Sequence, residues 1–165
     1  MYNPITISNF FIQEYGQQND ITPMRLVKLV YISHGWYLGL TGNALIDENP
    51  EAWQYGPVIP TVYHHYKSFR SNPIKNSHIR NNPCNEISET DQIFLRSVWE
   101  VYKSYSALDL SAMTHQVGTP WFVTWHKLSH NTPTLGINNK QIPDNLIRDH
   151  YKQKLEVANR ETQEV

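Results

Sequence analysis

Cysteine is almost absent from this 165-residue chain: the single Cys84 permits neither an internal disulfide framework nor a multi-cysteine metal site, so a reducing, cytoplasmic setting is expected. Long apolar runs are missing as well, and no stretch approaches the roughly 18 uncharged apolar residues of a membrane span. The first residues, Met1-Tyr2-Asn3-Pro4-Ile5, have no basic start leading into an apolar core and a small-residue cleavage site, so no signal peptide is expected. A basic excess is lacking too. With a formal net charge of −1, the chain does not have the bias of a protein whose main business is nucleic acid. Neither a glycine-rich phosphate loop nor a nucleophile elbow occurs anywhere.

What remains is the composition of one globular domain, with 39% apolar and 18% charged residues. Aromatics reach 12%, including 5 Trp and 10 Tyr, residue types that are enriched where proteins meet partners and equally able to fill a core with their hydroxyls reaching water.

Spacing predicts a mainly α fold: a single compact domain of six to seven helices around a buried central helix at about 23–40, with a small β-hairpin at about 44–55. A first helix over about 6–18 follows from Ile7, Phe10, Phe11 and Tyr15, with Thr6 or Ser8 as its cap. Thr22 before Pro23 is a helix-start signal, because the hydroxyl accepts an orphan N–H and proline costs nothing at the first helical position. The helix that follows is apolar almost all round, as a buried helix is. Its remaining stripe reads Arg25, Lys28, Ile32, Gly35, Gly39, and two glycines four apart suggest a second backbone crossing closely, with merely permissive positions as the other reading. Ala44–Ile46 and Ala52–Tyr55 are expected as short strands, Gly56-Pro57 as a turn, and Pro60 as the start of a helix carrying Val62, Tyr63, Tyr66 and Phe69. Residues 70–90 read as a long loop, 90–105 as a helix capped by Ser88 or Thr90, and 107–117 and 120–130 as two shorter helices. A last helix begins near Pro143. The domain is expected over 1–150, with 151–165 a charged helix end or a fraying tail.

No catalytic constellation emerges. His126 and His130 lie four apart, but Lys127 stands where a metalloprotease helix needs Glu, so two partly exposed imidazoles are expected there and no metal. Cys84 sits in an Asn/Pro loop without a base and reads as a loop thiol. Asp47, Glu48 and Glu51 read as a solvated turn, and no cofactor is expected. Lys67, Arg70, Lys75, His78 and Arg80 form a modest basic run beside aromatics that could track a phosphate backbone.

Three segments together resemble a known family. Thr22-Pro23-Met24-Arg25-Leu26-Val27-Lys28-Leu29-Val30-Tyr31, continuing to Gly35-Trp36-Tyr37-Leu38, resembles the first helix motif of SocA-like antitoxins, also called the Panacea antitoxin domain and found in many phage-associated proteins. Glu51-Ala52-Trp53-Gln54-Tyr55-Gly56-Pro57-Val58-Ile59-Pro60 with Tyr63 resembles its middle signature, and Leu110-Ser111, Thr114-His115 and Pro120-Trp121 its closing motif. The likeness runs in order over about residues 5–150, and departs from the family at Gln116-Val117-Gly118, where members often carry an acid. It implies an antitoxin that neutralises a cognate toxin protein by direct binding, with delivery of that toxin to a protease as a further role. It also implies no catalytic residues.

The partner-binding candidates are Trp53, Tyr55, Gly56, Pro57, Tyr63, His115 and Trp121; Thr22, Pro23, Leu26, Lys28, Leu29, Tyr31, Gly35, Trp36 and Tyr37 form the scaffold motif. Trp53 has two open readings, a contact residue at a hairpin-to-helix corner or a cap on the core beside Trp36. Trp121 is either a contact or an anchor, and Thr114 with His115 reads as a buried hydrogen-bonded pair fixing the two short helices in preference to a catalytic histidine. Alone, the chain is expected as a monomer or homodimer. A phage accessory adaptor that binds a host protein without a toxin, and a nucleic-acid-binding regulator, are the competing functions.

Overall fold

The computed structural model of the chain describes residues 1–18, 20–80, 83–130 and 140–163. The Cys84 thiol, the His130 half of the His126/His130 pair and the last two residues of the tail lie outside the described residues. Seven α-helices and one two-stranded sheet make up the described fold.

Helix α1, Pro4–Tyr15, begins earlier than its apolar pattern suggests. Asn3 is its cap, accepting from the Ile5 amide at 2.8 Å, while Ser8 lies inside the helix and donates back to the Pro4 carbonyl. Helix α2, Pro23–Thr41, opens on Thr22, whose hydroxyl accepts from the Arg25 amide, and closes on Gly42 in the left-handed conformation. Thirteen of its 19 residues are buried, which makes it the axis around which the other helices pack. Helix α3, Pro60–Tyr66, runs into a 3₁₀ turn at Lys67–Phe69. Two further 3₁₀ turns, Asn76–His78 and Pro83–Asn85, and the buried Ile74 and Ile87 pin the long segment between α3 and α4 to the core. Helices α4, Glu89–Tyr102, and α5, Ala107–Thr114, start on the caps Ser88 and Ser106. Helix α6, Pro120–His130, is followed after an interval by α7, Asp144–Gln163.

Helix α7 lies against α2 at the two glycines. A Cβ at Gly35 would be 2.5 Å from Cζ of the Tyr151 ring, and one at Gly39 would be 3.0 Å from the Lys152 backbone nitrogen. The crossing expected from the Gly35/Gly39 spacing is therefore present, and α7 is the crossing element. Its first turn is tied down by Asp144, 3.0 Å from Nε2 of the fully buried His34.

The hairpin lies further along the chain than its predicted place. Strand β1, Glu51–Trp53, pairs antiparallel with β2, Gly56–Val58, around a turn at Gln54–Tyr55. Ala44–Ile46 supplies only an isolated bridge between Ile46 and Tyr2. Gly56-Pro57 is thus strand and not turn. Pro57 faces Ala52, whose own N–H points away from β2 to the Lys140 carbonyl at 2.7 Å. That pair carries no cross-strand hydrogen bonds, so the missing proline N–H costs nothing.

Acid is expected to weaken the packing of α7. Burial, helped by the nearby Lys154 charge, pushes the His150 imidazole on α7 down to about 4. Between that value and the unfolded histidine's ordinary value of about 6.5 the unfolded chain holds the extra proton. The part of the stability that depends on His150 is therefore complete above about pH 6.5 and falls as the pH drops towards 4. His150→Gln should flatten this part of the melting-temperature profile; an unchanged slope would show that His150 is not its source.

Candidate partner-binding site

The site is built on a lysine inside the central helix. Lys28 is 2% exposed, and its Nζ donates to the carbonyls of Pro57 at 2.9 Å and Tyr55 at 3.2 Å. Its partners are backbone oxygens rather than a carboxylate, and burial pushes the amine down to about 7. The head group occupies the space a side chain at position 56 would need: a Cβ on Gly56 would lie 2.5 Å from Nζ. Gly56 also has φ of 108°, outside the usual range of residues with side chains. Glycine is required there on both counts.

Helices α5 and α6 hold the same hairpin from another side. Ser111 Oγ donates to the Tyr55 carbonyl at 3.2 Å, and Trp121 Nε1 donates to the Trp53 carbonyl at 2.7 Å. His115 stands edge-on to Trp121, with centroids 3.7 Å apart, and reaches the Gln54 backbone. Burial and then the Lys28 charge lower its pKa, while the bond to Gln54 opposes them. Thr114 does not pair with His115, as one reading of the sequence had it. Its hydroxyl sits over the Leu110 and Ser111 carbonyls at 3.0 and 3.1 Å, satisfied within its own helix. The three motif segments, far apart in the chain, thus meet at one hairpin tip whose carbonyls are fastened from inside.

The outward side is aromatic. The half-buried Trp53 ring meets Tyr63 edge-to-face at 5.0 Å, and its Nε1 donates to Glu51 at 2.7 Å. Tyr55 is 72% exposed, Tyr63 38% and Met24 44%. Between the start of α2, the hairpin and α3 lies an open groove of about 510 Å³, floored by Val27, Trp53 and Val58 and edged by Lys67 and Arg70. Trp53 does not sit beside Trp36. Trp36 packs on Tyr151 at 5.1 Å and donates to the Tyr102 hydroxyl, so it belongs to the α2–α4–α7 packing.

The predicted contact residues therefore divide. Trp53, Tyr55 and Tyr63 border the groove, whereas Gly56, Pro57, His115 and Trp121 support the hairpin behind it. Of the scaffold residues, Thr22 caps α2, Leu26, Leu29 and Tyr31 are core, Tyr37 packs on Phe94, and Pro23 reaches the groove. Lys28 was read as scaffold alone, yet it organises the site; its signal was a cation in a helix otherwise apolar nearly all round. Met24, Val27, Lys67 and Arg70 were not identified as groove residues, because nothing local in the sequence joins them.

Among the described residues, no three His, Cys, Asp or Glu side chains converge as a metal site, and no helix is long and apolar enough to cross a membrane. A sequence profile of the family described as antitoxin SocA-like, Panacea domain, matches residues 26–122. That span starts just before Lys28 and ends just after Trp121, so it encloses the hairpin and the three side chains that fasten its tip. Antitoxin SocA of Caulobacter vibrioides (strain NA1000 / CB15N) is 30% identical over 147 residues, covering 84% of this chain and 76% of that protein. No solved structure matches.

Proposed function

This chain belongs to the SocA-like antitoxin family, Panacea domain, and from that premise we propose that it neutralises a toxin protein by binding it directly at the hairpin corner. The observation that carries the placement is the aromatic groove around Trp53, Tyr55 and Tyr63, standing on a hairpin fastened by Lys28, Ser111 and Trp121. Large rings on a backbone that is already rigid bind with little ordering cost, which is what a tight, long-lived complex needs. No catalytic step is part of this function; neutralisation is occupancy. Delivery of the captured toxin to a protease, which the family likeness suggests, would use surface that the toxin leaves free.

The test is growth of cells expressing the reading frame adjacent to this gene, with and without this chain. Arrest relieved by the chain, together with co-purification of the two proteins, is the expected result. Arrest that the chain cannot relieve would overturn the proposal. Tyr55→Ala probes the placement, since its ring lies in solvent and its backbone carbonyl, which holds the hairpin, is untouched. Affinity should fall at least about tenfold, or about 1.4 kcal/mol, with the melting temperature unchanged. Full affinity in that variant would move the toxin elsewhere on the surface.

A further inference from the structure

The groove has a chemical polarity of its own. Its floor is apolar, from Val27, Trp53 and Val58, while its lining includes three basic side chains and no carboxylate: Lys28 beneath, Lys67 and Arg70 at the rim. Lys67 and Arg70 are exposed, and neither side chain has a hydrogen bond or ion pair to another described residue. Near the hairpin, Glu51 accepts from the Trp53 indole and one oxygen of Glu48 accepts from the Thr61 amide. Arg70 has in addition φ of 54°, a conformation that favours glycine, at the end of the 3₁₀ turn Lys67–Phe69. A long cation held at a position that would suit glycine better is the kind of local strain found at binding surfaces.

We propose that the segment of the toxin seated in this groove carries a large apolar side chain flanked by carboxylates, the apolar group against Val27, Trp53 and Val58 and the acids against Lys67 and Arg70. This rests on the reading of the chain as a toxin-binding antitoxin and names the chemistry of what it grips. A negative patch facing a positive rim raises the association rate and rejects basic partners, while the apolar floor supplies the dwell time. A phosphate backbone fits less well. Trp53 and Tyr63 stand at 70° to each other and form no parallel stacking platform, and His78 of the wider basic run is engaged in closing its own turn with Lys75.

The experiment uses the full chain and the purified product of the adjacent reading frame, with binding followed by calorimetry at about 0.05 and 0.5 M sodium chloride. The Lys67→Glu/Arg70→Glu double variant should bind at least about tenfold more weakly, with an unchanged melting temperature, and should lose most of the salt dependence that wild type shows. Arg70→Gly should melt higher than wild type, through relief of its backbone, and still bind more weakly. Wild-type complex with undiminished binding by the double variant would overturn this inference and leave the antitoxin reading standing. No complex with wild type would overturn both. Displacement of the toxin by a labelled single-stranded oligonucleotide, reversed by salt, would assign the rim to nucleic acid and overturn the acidic segment.

Discussion

Gly35→Leu should lower the melting temperature by at least about 10 °C, and the protein should be recovered largely unfolded near physiological temperature. The Cβ alone would sit within the edge of the Tyr151 ring, and that ring is 3% exposed. Nor can α7 swing away cheaply, because Asp144 is bonded to the buried His34 and Ile147 is wholly buried one turn before Tyr151. Overpacking a core ordinarily costs about 1–3 kcal/mol. Here a whole helix would have to move, and a domain of this size has only about 5–15 kcal/mol in hand. At about 2–4 °C per kcal/mol, the expected loss is read directly from thermal denaturation followed by circular dichroism. Gly42→Asn is the control: Gly42 has nothing within 4 Å of its missing Cβ, and its left-handed φ of 75° is one asparagine tolerates. Partial recovery of Gly35→Ala by a second change, Tyr151→Leu, would place the clash at that ring. A Gly35→Leu protein that melts like wild type would refute the close crossing.

Lys28→Met is expected to abolish neutralisation while leaving a helical protein about 2 kcal/mol less stable. The amine donates to both Tyr55 and Pro57 carbonyls, and hydrogen bonds from charged donors are worth about 1.5–3 kcal/mol each. Relief from burying a charge offsets part of that loss, which is why the stability change is smaller than two bonds would imply. The hairpin tip would lose its inner tether and the rings outside it their fixed positions. Gly56→Ala should give the same phenotype by another route, pushing Nζ from its place and straining a φ of 108°. Lys28 also leaves a signature in pH. With its pKa near 7 in the fold and about 10.4 in the unfolded chain, the unfolded state holds more protons between those values. Stability from this group therefore rises with pH across that window and is lost as pH falls back through it. Tyr31 and Tyr66, whose pKa values burial raises, act in the opposite sense above about pH 10, so melts should stop near pH 9.5. A methionine variant that keeps the wild-type slope, or one that neutralises normally, would remove Lys28 from this role.

The central helix was readable because its evidence is local: a Thr-Pro start, an apolar circumference and two glycines four apart. The cap at Thr22 was readable for the same reason, and Ser88 was one of two candidates, Ser88 or Thr90, between which the structure decides. The hairpin was misplaced because whether a strand tolerates proline depends on which partner residue it faces, and Pro57 faces an Ala52 whose amide looks the other way. That relation exists only once the strands are paired. Thr114 shows the same limit at smaller scale, since a hydroxyl on a helix can bond inward to its own carbonyls and leave its sequence neighbour unpaired. The groove is the extreme case. Met24, Trp53 and Lys67 lie on three elements, and only the packing of α2, hairpin and α3 makes them neighbours.

The fastenings of the hairpin have a consequence in time. Lys28, Ser111 and Trp121 reach the same short stretch of backbone from points spread across most of the chain. A ribosome that has finished the hairpin has therefore made no binding corner; the corner comes into being only after Trp121 has emerged and the helices have closed. The same dependence runs backwards during breakdown. Cutting the chain anywhere between Lys28 and Trp121 and letting the pieces part would take at least one support from the tip, so the corner would lose the fixed backbone on which its rings stand.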